Sequence, residues 1–344
     1  MFNNYDALLI FNEDNRYYFS SFRSSFGCVI LTPKKKVLIT DSRYESEARK
    51  LAVGFVVILA NSSNFYETIQ KQLELLKVNA VGFEDDFLTV SEFRELKNHL
   101  SDYAFVPAGV DIADKRAVKS VIEIRKIALA EEVTVKAFND VLPNIKVGMS
   151  EKEVSDMITC AMLKNGATGP AFPNIVCFGQ SSACPHHVPS TEIKLNKNDV
   201  ILIDIGAKVD GYCGDLTRTF CLGEIDNKLA SIHKIVYDAQ AFVLKNLKAG
   251  LTGKEVDGMA REYLLAHGFK EEFGHSLGHG IGINVHERPY ASQRSEEVLK
   301  ENMVISVEPG VYIEGEGGVR IEDIVVIKND GIINLTNLSK EIKI

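Results

Sequence analysis

The chain has 344 residues, of which 45% are hydrophobic and 25% charged, and its formal net charge is −8. These values are typical of a globular protein with two domains, and they argue against a nucleic-acid-binding face, which needs clustered lysine and arginine. No apolar run approaches the roughly 20 residues that cross a bilayer. The N-terminus lacks a signal-peptide pattern, and the six cysteines form no CxxC pair. We therefore expect a cytoplasmic protein with reduced thiols and with no nucleic-acid or membrane partner.

Residues 1–112 alternate short apolar runs with helical patterns. The predicted strands are DALLIF, GCVILT, KKVLIT, FVVILA and NAVGFE, and the predicted helices are SNFYETIQKQLELLKV and VSEFRELKNHL. This alternation predicts a small mixed sheet with helices on its faces. A long charged helix is then predicted from about Lys115 to Leu142, stopped by Pro143. We place the domain boundary at residue 112, so that residues 113–344 form the second domain.

The second domain contains an internal repeat. The segment GMSEKEVSDM at Gly148 matches GLTGKEVDGM at Gly250, and each continues through a helical pattern to a further glycine at the same spacing, Gly166 or Gly268. Later in each copy come two carboxylates on paired strands, and a histidine stands ahead of each set, in PHHVPS and in VHERP. This repetition predicts two related half-domains that face each other.

The first pair of carboxylates lies in VILIDIGAKVDGYCGDLTRTF. Asp210 and Gly211 suit a two-residue hairpin turn, because both can adopt a positive φ. That turn would place Asp215 opposite Gly206, diagonal to Asp204 and on the same face. The simpler alternative is that one aspartate forms a salt bridge and the other lies in a solvated turn. However, Asp204 stands in an apolar strand, where an ionised carboxylate is costly unless it is paired or bound to a metal.

The second pair of carboxylates lies in NMVISVEPGVYIEGEGGVRIEDIVVI. A glycine-rich turn at residues 314–317 would bring Glu308 close to the level of Glu322. Strand alternation places Arg320 on the same face as Glu322. The opposite face carries Val319, Ile321 and Asp323. A surface Glu322 neutralised by Arg320 is the alternative, and it is weakened because four acids then stand in two matched hairpins.

Four converging carboxylates would repel one another unless cations lay between them. Two divalent cations would balance four carboxylates, and an oxygen-rich site with one imidazole suits Mn²⁺, and also Co²⁺, Fe²⁺ or Zn²⁺. The segment GHSLGHGIGINVHE offers His275, His279 and His286 among glycines that permit close backbone approach. Taken alone, His279 would be read as a buried, hydrogen-bonded histidine. Spacing does not decide which histidine binds metal and which face a substrate.

These motifs resemble a known family. DIGAKVDGYCGDLTRTF, GHSLGHGIGINVHE, MVISVEPGVYI and GGVRIEDIVVI are similar to motifs of the methionine-aminopeptidase and creatinase superfamily, and especially of its Xaa-Pro peptidases, prolidase and aminopeptidase P. The resemblance covers most of the chain. It implies an α+β fold with a creatinase-like N-terminal α/β domain followed by a pita-bread catalytic domain of two related half-domains. It also implies a homodimer and two divalent metal ions, with Mn²⁺ first, held by Asp204, Asp215, His279, Glu308 and Glu322.

The same resemblance assigns roles to the other histidines. His286 corresponds to the histidine that contacts the scissile peptide, and His275 to a further histidine near the substrate pocket. In PHHVPS, His186 corresponds to the histidine that assists with the proton or the peptide carbonyl. His186 fits this place better than His187, because the family usually has a single histidine directly after the proline, and the role of His187 stays open.

The implied reaction is hydrolysis of the Xaa-Pro bond at the N-terminus of short peptides with proline at the second position, by a metal-bridging hydroxide. Glu308 would also act as the general base. Arg320 corresponds to the arginine that braces the carboxylate ligands. The proline ring would pack in an apolar pocket, for which Phe172 and Tyr212 are candidates.

One motif departs from the family pattern. Where prolidases and many aminopeptidases P have HE-x-P-R, with an arginine that can bind the substrate's carboxyl terminus, this chain has HERPYAS, with Tyr290 at that place and Arg288 two residues earlier. Either Arg288 substitutes in part, or the enzyme accepts longer peptides. The choice between dipeptidase and aminopeptidase P therefore stays open.

The sequence disfavours three other functions. A catalytically silent pita-bread protein-interaction module is disfavoured because all five ligand positions are occupied. A metal-free creatine amidinohydrolase is disfavoured by the same acidic set, and a methionine aminopeptidase by the additional N-terminal domain.

Overall fold

The computed structural model describes residues 2, 4–224 and 226–343, and it divides into two compact units, residues 1–116 and 117–344. In these described ranges no helix combines the length and the hydropathy that a membrane span requires.

The first unit is built on a six-stranded mixed sheet with strand order β4-β3-β2-β1-β5-β6. Its strands are β1 (Ala7–Ile10), β2 (Cys28–Leu31), β3 (Lys36–Thr40), β4 (Val56–Leu59), β5 (Ala80–Phe83) and β6 (Ala104–Pro107). Its helices are α1 (Glu13–Ser20), α2 (Glu45–Leu51), α3 (Phe65–Leu76), α4 (Val90–His99) and α5 (Gly109–Ala117). The five predicted strands and two predicted helices are confirmed. The predicted domain boundary at residue 112 falls inside α5.

The long helix predicted from Lys115 is wrong at its start. The chain leaves the helical conformation after α5, and a separate helix, α6 (Val121–Val141), begins behind Ser120. Ser120 has extended dihedrals and forms a capping box with Glu123, in which each side chain accepts the other residue's backbone N–H. This cap fixes a new helix start. The predicted stop is confirmed, because Pro143 lies in the short 3₁₀ turn that follows α6.

The second unit consists of two half-domains with matching parts. The first contains α6, α7 (Glu151–Lys164), β7 (Gly169–Pro170), β8 (Ile175–Phe178), β9 (Val200–Ile205), β10 (Ala207–Val209), β11 (Tyr212–Cys213) and β12 (Leu216–Cys221). The second contains α8 (Asn227–Asn246), α9 (Gly253–Ala266), β13 (Gly278–Gly280), β14 (Glu287–Ala291), β15 (Val304–Val307), β16 (Gly310–Ile313), β17 (Gly317–Arg320), β18 (Asp323–Lys328) and β19 (Gly331–Asn334). In each half a helix pair, α6–α7 or α8–α9, packs together beside antiparallel sheets.

The backbone confirms the internal repeat. Helices α7 and α9 each have 14 residues, and each begins with a capping box between a Ser or Thr and a Glu three residues later. The glycines ahead of the two helices, Gly148 and Gly250, have φ of 92° and 94°. Those behind them, Gly166 and Gly268, have φ of 96° and 93°. These left-handed turns favour glycine at all four places, so the matched sequence encodes matched structure.

Each half-domain has its own apolar core, and strand alternation separates that core from the polar residues. In β9, Ile201, Ile203 and Ile205 point into the core of the first half, whereas Asp204 points to the other face. In the second half, Val319 and Ile321 pack in the core while Arg320 and Glu322 alternate with them. The polar faces of the two halves supply the site described next.

Candidate metal centre

The first hairpin has the predicted turn. Asp210 and Gly211 have φ of 46° and 77°, as a two-residue hairpin turn requires. The pairing is in the same register at both ends of the hairpin, with Val209 opposite Tyr212 and Ile205 opposite Leu216. This register sets Gly206 opposite Asp215. Both aspartates are buried, Asp204 at 8% and Asp215 at 4% exposure. The alternative of a solvated aspartate is therefore wrong.

The second hairpin also has the predicted arrangement. Its register includes Gly310↔Arg320 and continues to Val307↔Asp323, so Glu308 and Glu322 stand at the same level. Glu322 is buried and Glu308 is partly buried.

His279 lies in β13 beside these carboxylates. Its Nε2 is 3.7 Å from Asp215 Oδ2 and 3.3 Å from Glu308 Oε1. Potential ligand atoms of Asp215, His279 and Glu322 all lie within 4.8 Å of one another. The close approach of β13 depends on Gly278, since a Cβ there would stand 2.0 Å from the Ser306 carbonyl oxygen. The glycines around His279 thus serve the close packing that the sequence suggested.

Burial and mutual repulsion oppose the ionisation of three of these carboxylates. Burial raises the pKa of Asp204, and it raises the pKa of Asp215 and Glu322 strongly, with neighbouring carboxylates adding to the effect. Burial also acts on Glu308, but the hydrogen bond and charge of His279 outweigh it and lower the pKa of Glu308 to about 2. Burial lowers the pKa of His279, but the hydrogen bond and charge of Glu308 outweigh it and raise that pKa.

Two buried oxygens mark where a cation would bind. Asp204 Oδ1 and Glu322 Oε1 have no hydrogen-bond partner among the described residues. A buried carboxylate oxygen without a partner is costly. Four carboxylates and one imidazole form the donor set preferred by Mn²⁺ and by other first-row divalent ions. The residues present therefore fit divalent metal binding.

Arg320 connects the two hairpins. It is 3% exposed, and its guanidinium donates to Asp204 Oδ2 at 2.6 Å, to Tyr312 Oη at 2.7 Å and to Thr217 Oγ1 at 3.1 Å. Thr217 in turn donates to Glu322 Oε2 at 2.7 Å. Arg320 and Thr217 together fix one carboxylate from each half-domain.

Three hydroxyls that support the site, those of Thr217, Ser306 and Tyr312, are not among the residues predicted from the sequence. Ser306 Oγ donates to Glu308 Oε1 at 3.1 Å and accepts the His279 N–H at 3.0 Å. Tyr312 Oη lies 2.9 Å from His275 Nε2. Strand alternation could have found the first two, since Thr217 lies two residues after Asp215 and Ser306 two residues before Glu308.

A cavity of about 610 Å³ opens over this cluster. The carboxylates and His279 border it together with His186, His187, His275 and His286, and the His279 and His286 rings lie 4.2 Å apart. Its apolar wall includes Phe172, Pro173, Ile175, Pro185, Val188, Pro189 and Val285. Its size is ordinary for a small-molecule or peptide site. Of the two aromatic candidates, Phe172 lines the cavity, whereas the Tyr212 hydroxyl faces Glu123 at 3.4 Å.

Arg288 and Tyr290 have different surroundings. Arg288 Nε lies 3.1 Å from Glu297 Oε2, and Arg288 is not among the residues that border the cavity. Tyr290 does border it and is 44% exposed. Among the described cavity residues, Arg320 is the one arginine or lysine, and its guanidinium is engaged with Asp204.

Residues 125–329 match metallopeptidase family M24, and residues 3–118 match the creatinase/prolidase N-terminal domain. The chain is 36% identical over 341 residues to an Xaa-Pro dipeptidase of Pyrococcus horikoshii, covering 99% of this chain and 95% of that protein. It is similar in structure to an X-Pro aminopeptidase from Thermotoga maritima, with a TM-score of 0.93, 39% identity and coverage of 99% and 98%. It is also similar to an Xaa-Pro dipeptidase from Bacillus anthracis, with a TM-score of 0.95, 39% identity and coverage of 99% and 95%. As its motifs predicted, the chain belongs to metallopeptidase family M24 and carries the creatinase/prolidase N-terminal domain.

Proposed function

We propose that the chain hydrolyses the Xaa-Pro bond at the N-terminus of short peptides, with proline at the second position. The observation that carries this proposal is the convergence of Asp204, Asp215, His279, Glu308 and Glu322 beneath a peptide-sized cavity with further histidines on its border. The names of the similar dipeptidases and aminopeptidases support proline as the preferred second residue.

These five residues would hold two divalent cations, with Mn²⁺ first and Co²⁺, Zn²⁺ or Fe²⁺ as alternatives. Two such ions carry four positive charges against four carboxylates, and they would supply partners for the buried oxygens of Asp204 and Glu322. When bound, the cations supply Lewis-acid chemistry, which polarises a carbonyl and acidifies a water molecule.

Glu308 is the residue best placed for proton transfer. It is partly buried while the other three carboxylates are buried, and it borders the cavity. We expect Glu308 to take the proton of the attacking water and to pass it to the leaving proline nitrogen. Ser306 fixes its carboxylate through Oε1.

Three histidines would handle the peptide. His186 and His286 border the cavity with exposed side chains, so their N–H groups can donate to the peptide carbonyl as negative charge develops on its oxygen. His275 is tied to Tyr312, which also accepts from Arg320, and it would shape the pocket beside the carboxylates.

The cavity suggests how far a substrate extends beyond proline. Phe172 and the neighbouring prolines offer an apolar wall for the proline ring. Arg288 is paired with Glu297, and Tyr290 borders the cavity instead. We therefore expect that the proline of the substrate need not carry a free carboxylate. We therefore expect tripeptides to be accepted at least as well as dipeptides.

Proline release from Ala-Pro and alanine release from Ala-Pro-Ala test this function. The protein would be stripped with EDTA and reloaded with Mn²⁺, with Ala-Ala as the substrate control. We expect metal-dependent cleavage of both proline peptides and little cleavage of Ala-Ala. Arg288→Ala should cleave Ala-Pro at a rate within about twofold of the wild-type rate. Cleavage of Ala-Pro alone, lost in Arg288→Ala, would refute the expectation about chain length. Absence of metal-dependent cleavage would refute the function itself.

The assembly is a separate prediction. The homodimer that the family resemblance implies is tested by light scattering on the purified chain.

A further inference from the structure

A buried carboxylate outside the metal centre collects four hydrogen bonds from one short segment. Glu151, in the first turn of α7, is fully buried. Its Oε1 accepts from the Phe178 N–H at 3.0 Å and from the Ser181 hydroxyl. Its Oε2 accepts from the Ser190 N–H at 3.0 Å and lies 2.7 Å from His187 Nε2. One side chain therefore ties down residues 178–190 at four points.

The chemistry of this cluster fixes the role of each partner. An ionised carboxylate has two oxygens that each accept two hydrogen bonds, so four donors saturate it. Two of the partners are backbone N–H groups and the third is a hydroxyl, so the fourth, His187, completes the set by donating from Nε2. Hydrogen bonds to an ionised group are stronger than neutral ones. His187 thus faces Glu151, with its side chain 18% exposed.

The tethered segment carries His186. This residue is exposed and borders the cavity, next to the residue that Glu151 binds. Between the tethered points at residues 181 and 190 the chain has no strand or α-helix of its own. The position of His186 over the metal centre therefore depends on the contacts of its neighbours.

The internal repeat shows that the fold does not need a glutamate at this place. The residue of α9 that matches Glu151 is Gly253, where a Cβ would stand 2.0 Å from the Tyr290 carbonyl oxygen. The second half-domain thus packs its segment directly against the helix backbone, and the first half uses a long charged side chain instead. Since both helices start with the same capping box, helix formation does not explain Glu151.

We propose that Glu151 and His187 are positioning residues that hold His186 in its catalytic place. The inference rests on the proposed function, because it assigns His186 to the peptide. It also gives His187 a role that is distinct from substrate contact.

A double-mutant cycle tests the positioning. We expect His187→Ala to lower kcat by about 10- to 100-fold with KM changed less than about threefold, because displacement of a catalytic group by about 1 Å can cost this much. His187→Gln, which keeps an N–H donor near the Nε2 position, should recover most of the rate. In a His186→Ala background the same His187→Ala change should cost less than about twofold. An equal loss of kcat in both backgrounds would overturn the positioning role.

Amide hydrogen exchange tests the tether without any assay of activity. Glu151→Gln puts an NH₂ group against two of the four donors, so peptides covering residues 178–190 should exchange at least about tenfold faster. The matched control is Glu153→Gln, two residues further along α7, where the carboxylate accepts hydrogen bonds from Ser150 and no hydrogen bond to residues 178–190 is seen. We expect this control to change neither exchange in that segment nor kcat.

The two readouts separate the possible failures. Unchanged exchange in folded Glu151→Gln would overturn the tether. If Glu151→Gln does not fold, exchange in His187→Ala decides the same point, with faster exchange expected and no change overturning it. If the wild type cleaves no proline peptide, the proposed function fails while the exchange result still decides whether the tether exists.

Discussion

Thr217→Val should weaken the metal centre without any contact to a metal ion. The Thr217 hydroxyl is fully buried, donates to Glu322 Oε2 at 2.7 Å and accepts from Arg320 Nε at 3.1 Å. Valine has nearly the same shape but makes neither bond. The hydrogen bond with the Arg320 guanidinium involves a charged group and contributes about 1.5–3 kcal/mol, and the one with Glu322 adds about 1 kcal/mol, so we expect the free energy of unfolding of the metal-free protein to fall by about 3 kcal/mol. Because Glu322 loses its orienting partner, Mn²⁺ should bind about 10- to 100-fold more weakly.

Thr219→Val is the matched control on the same strand face. Thr219 is 2% exposed, and its hydroxyl donates to the Arg320 carbonyl at 2.9 Å and accepts the Arg320 N–H at 3.1 Å. Both partners are neutral backbone groups, so the expected loss of stability is about 1–2 kcal/mol, with Mn²⁺ affinity nearly unchanged. Urea unfolding and calorimetric Mn²⁺ titration of EDTA-stripped protein measure the two quantities. Equal losses of Mn²⁺ affinity in the two variants would refute the role assigned to Thr217.

Three further predictions concern the base, a buried ion pair and a buried histidine. Glu308→Gln should lower kcat for Ala-Pro-Ala by at least about 10²-fold with an unchanged circular dichroism spectrum, and near wild-type turnover would exclude Glu308 as the base. The Lys119 ammonium lies 2.8 Å from Glu287 Oε1, and the two side chains are 1% and 10% exposed. Lys119→Met should therefore lower the free energy of unfolding, measured with urea, by about 3 kcal/mol, and adding Glu287→Gln should recover part of this loss. Burial lowers the pKa of His233 from 6.5 to about 4, so the unfolded state binds the proton more readily than the folded state does. The free energy of unfolding should therefore fall by about 3 kcal/mol as the pH drops from 6.5 to 4. His233→Asn should not show this part of the pH-dependent loss. Parallel plots of unfolding free energy against pH for the wild type and the variant would contradict the prediction.

The hairpins of the metal centre could be predicted because their signals are local. An Asp-Gly pair fixes a turn, and a period of two then decides which side chains share a face, so the levels of Asp215 and Glu308 followed from the sequence. The repeat added a second copy of the same pattern. The strands of the first unit were predictable for a similar reason, since each is a short apolar run between polar turns.

The parts that could not be predicted depend on contacts distant in sequence or on weak local signals. Glu151 and His187 are 36 residues apart, and nothing in either segment shows that they meet. Ser120 and Glu123 form the S-x-x-E pattern of a capping box, but this is a weak signal inside a continuous helical pattern, which is why the sequence predicts one helix from about Lys115 to Leu142. The pairing of Arg288 with Glu297 depends on how β14 meets the following loop, and neither segment shows it in its sequence.

Metal titration with a simultaneous activity assay tests the central claim most directly. EDTA-stripped protein would receive Mn²⁺ in steps while bound Mn²⁺ per chain and alanine release from Ala-Pro-Ala are measured on the same samples, with Ala-Ala-Ala as the substrate control. We expect no cleavage without metal, a plateau of activity when two ions are bound per chain, and little cleavage of Ala-Ala-Ala. Cleavage by the metal-free protein would contradict the proposed proline-specific metallopeptidase centre, as would binding of two Mn²⁺ ions per chain without hydrolysis of the proline peptide. The five residues of this centre are Asp204, Asp215, His279, Glu308 and Glu322.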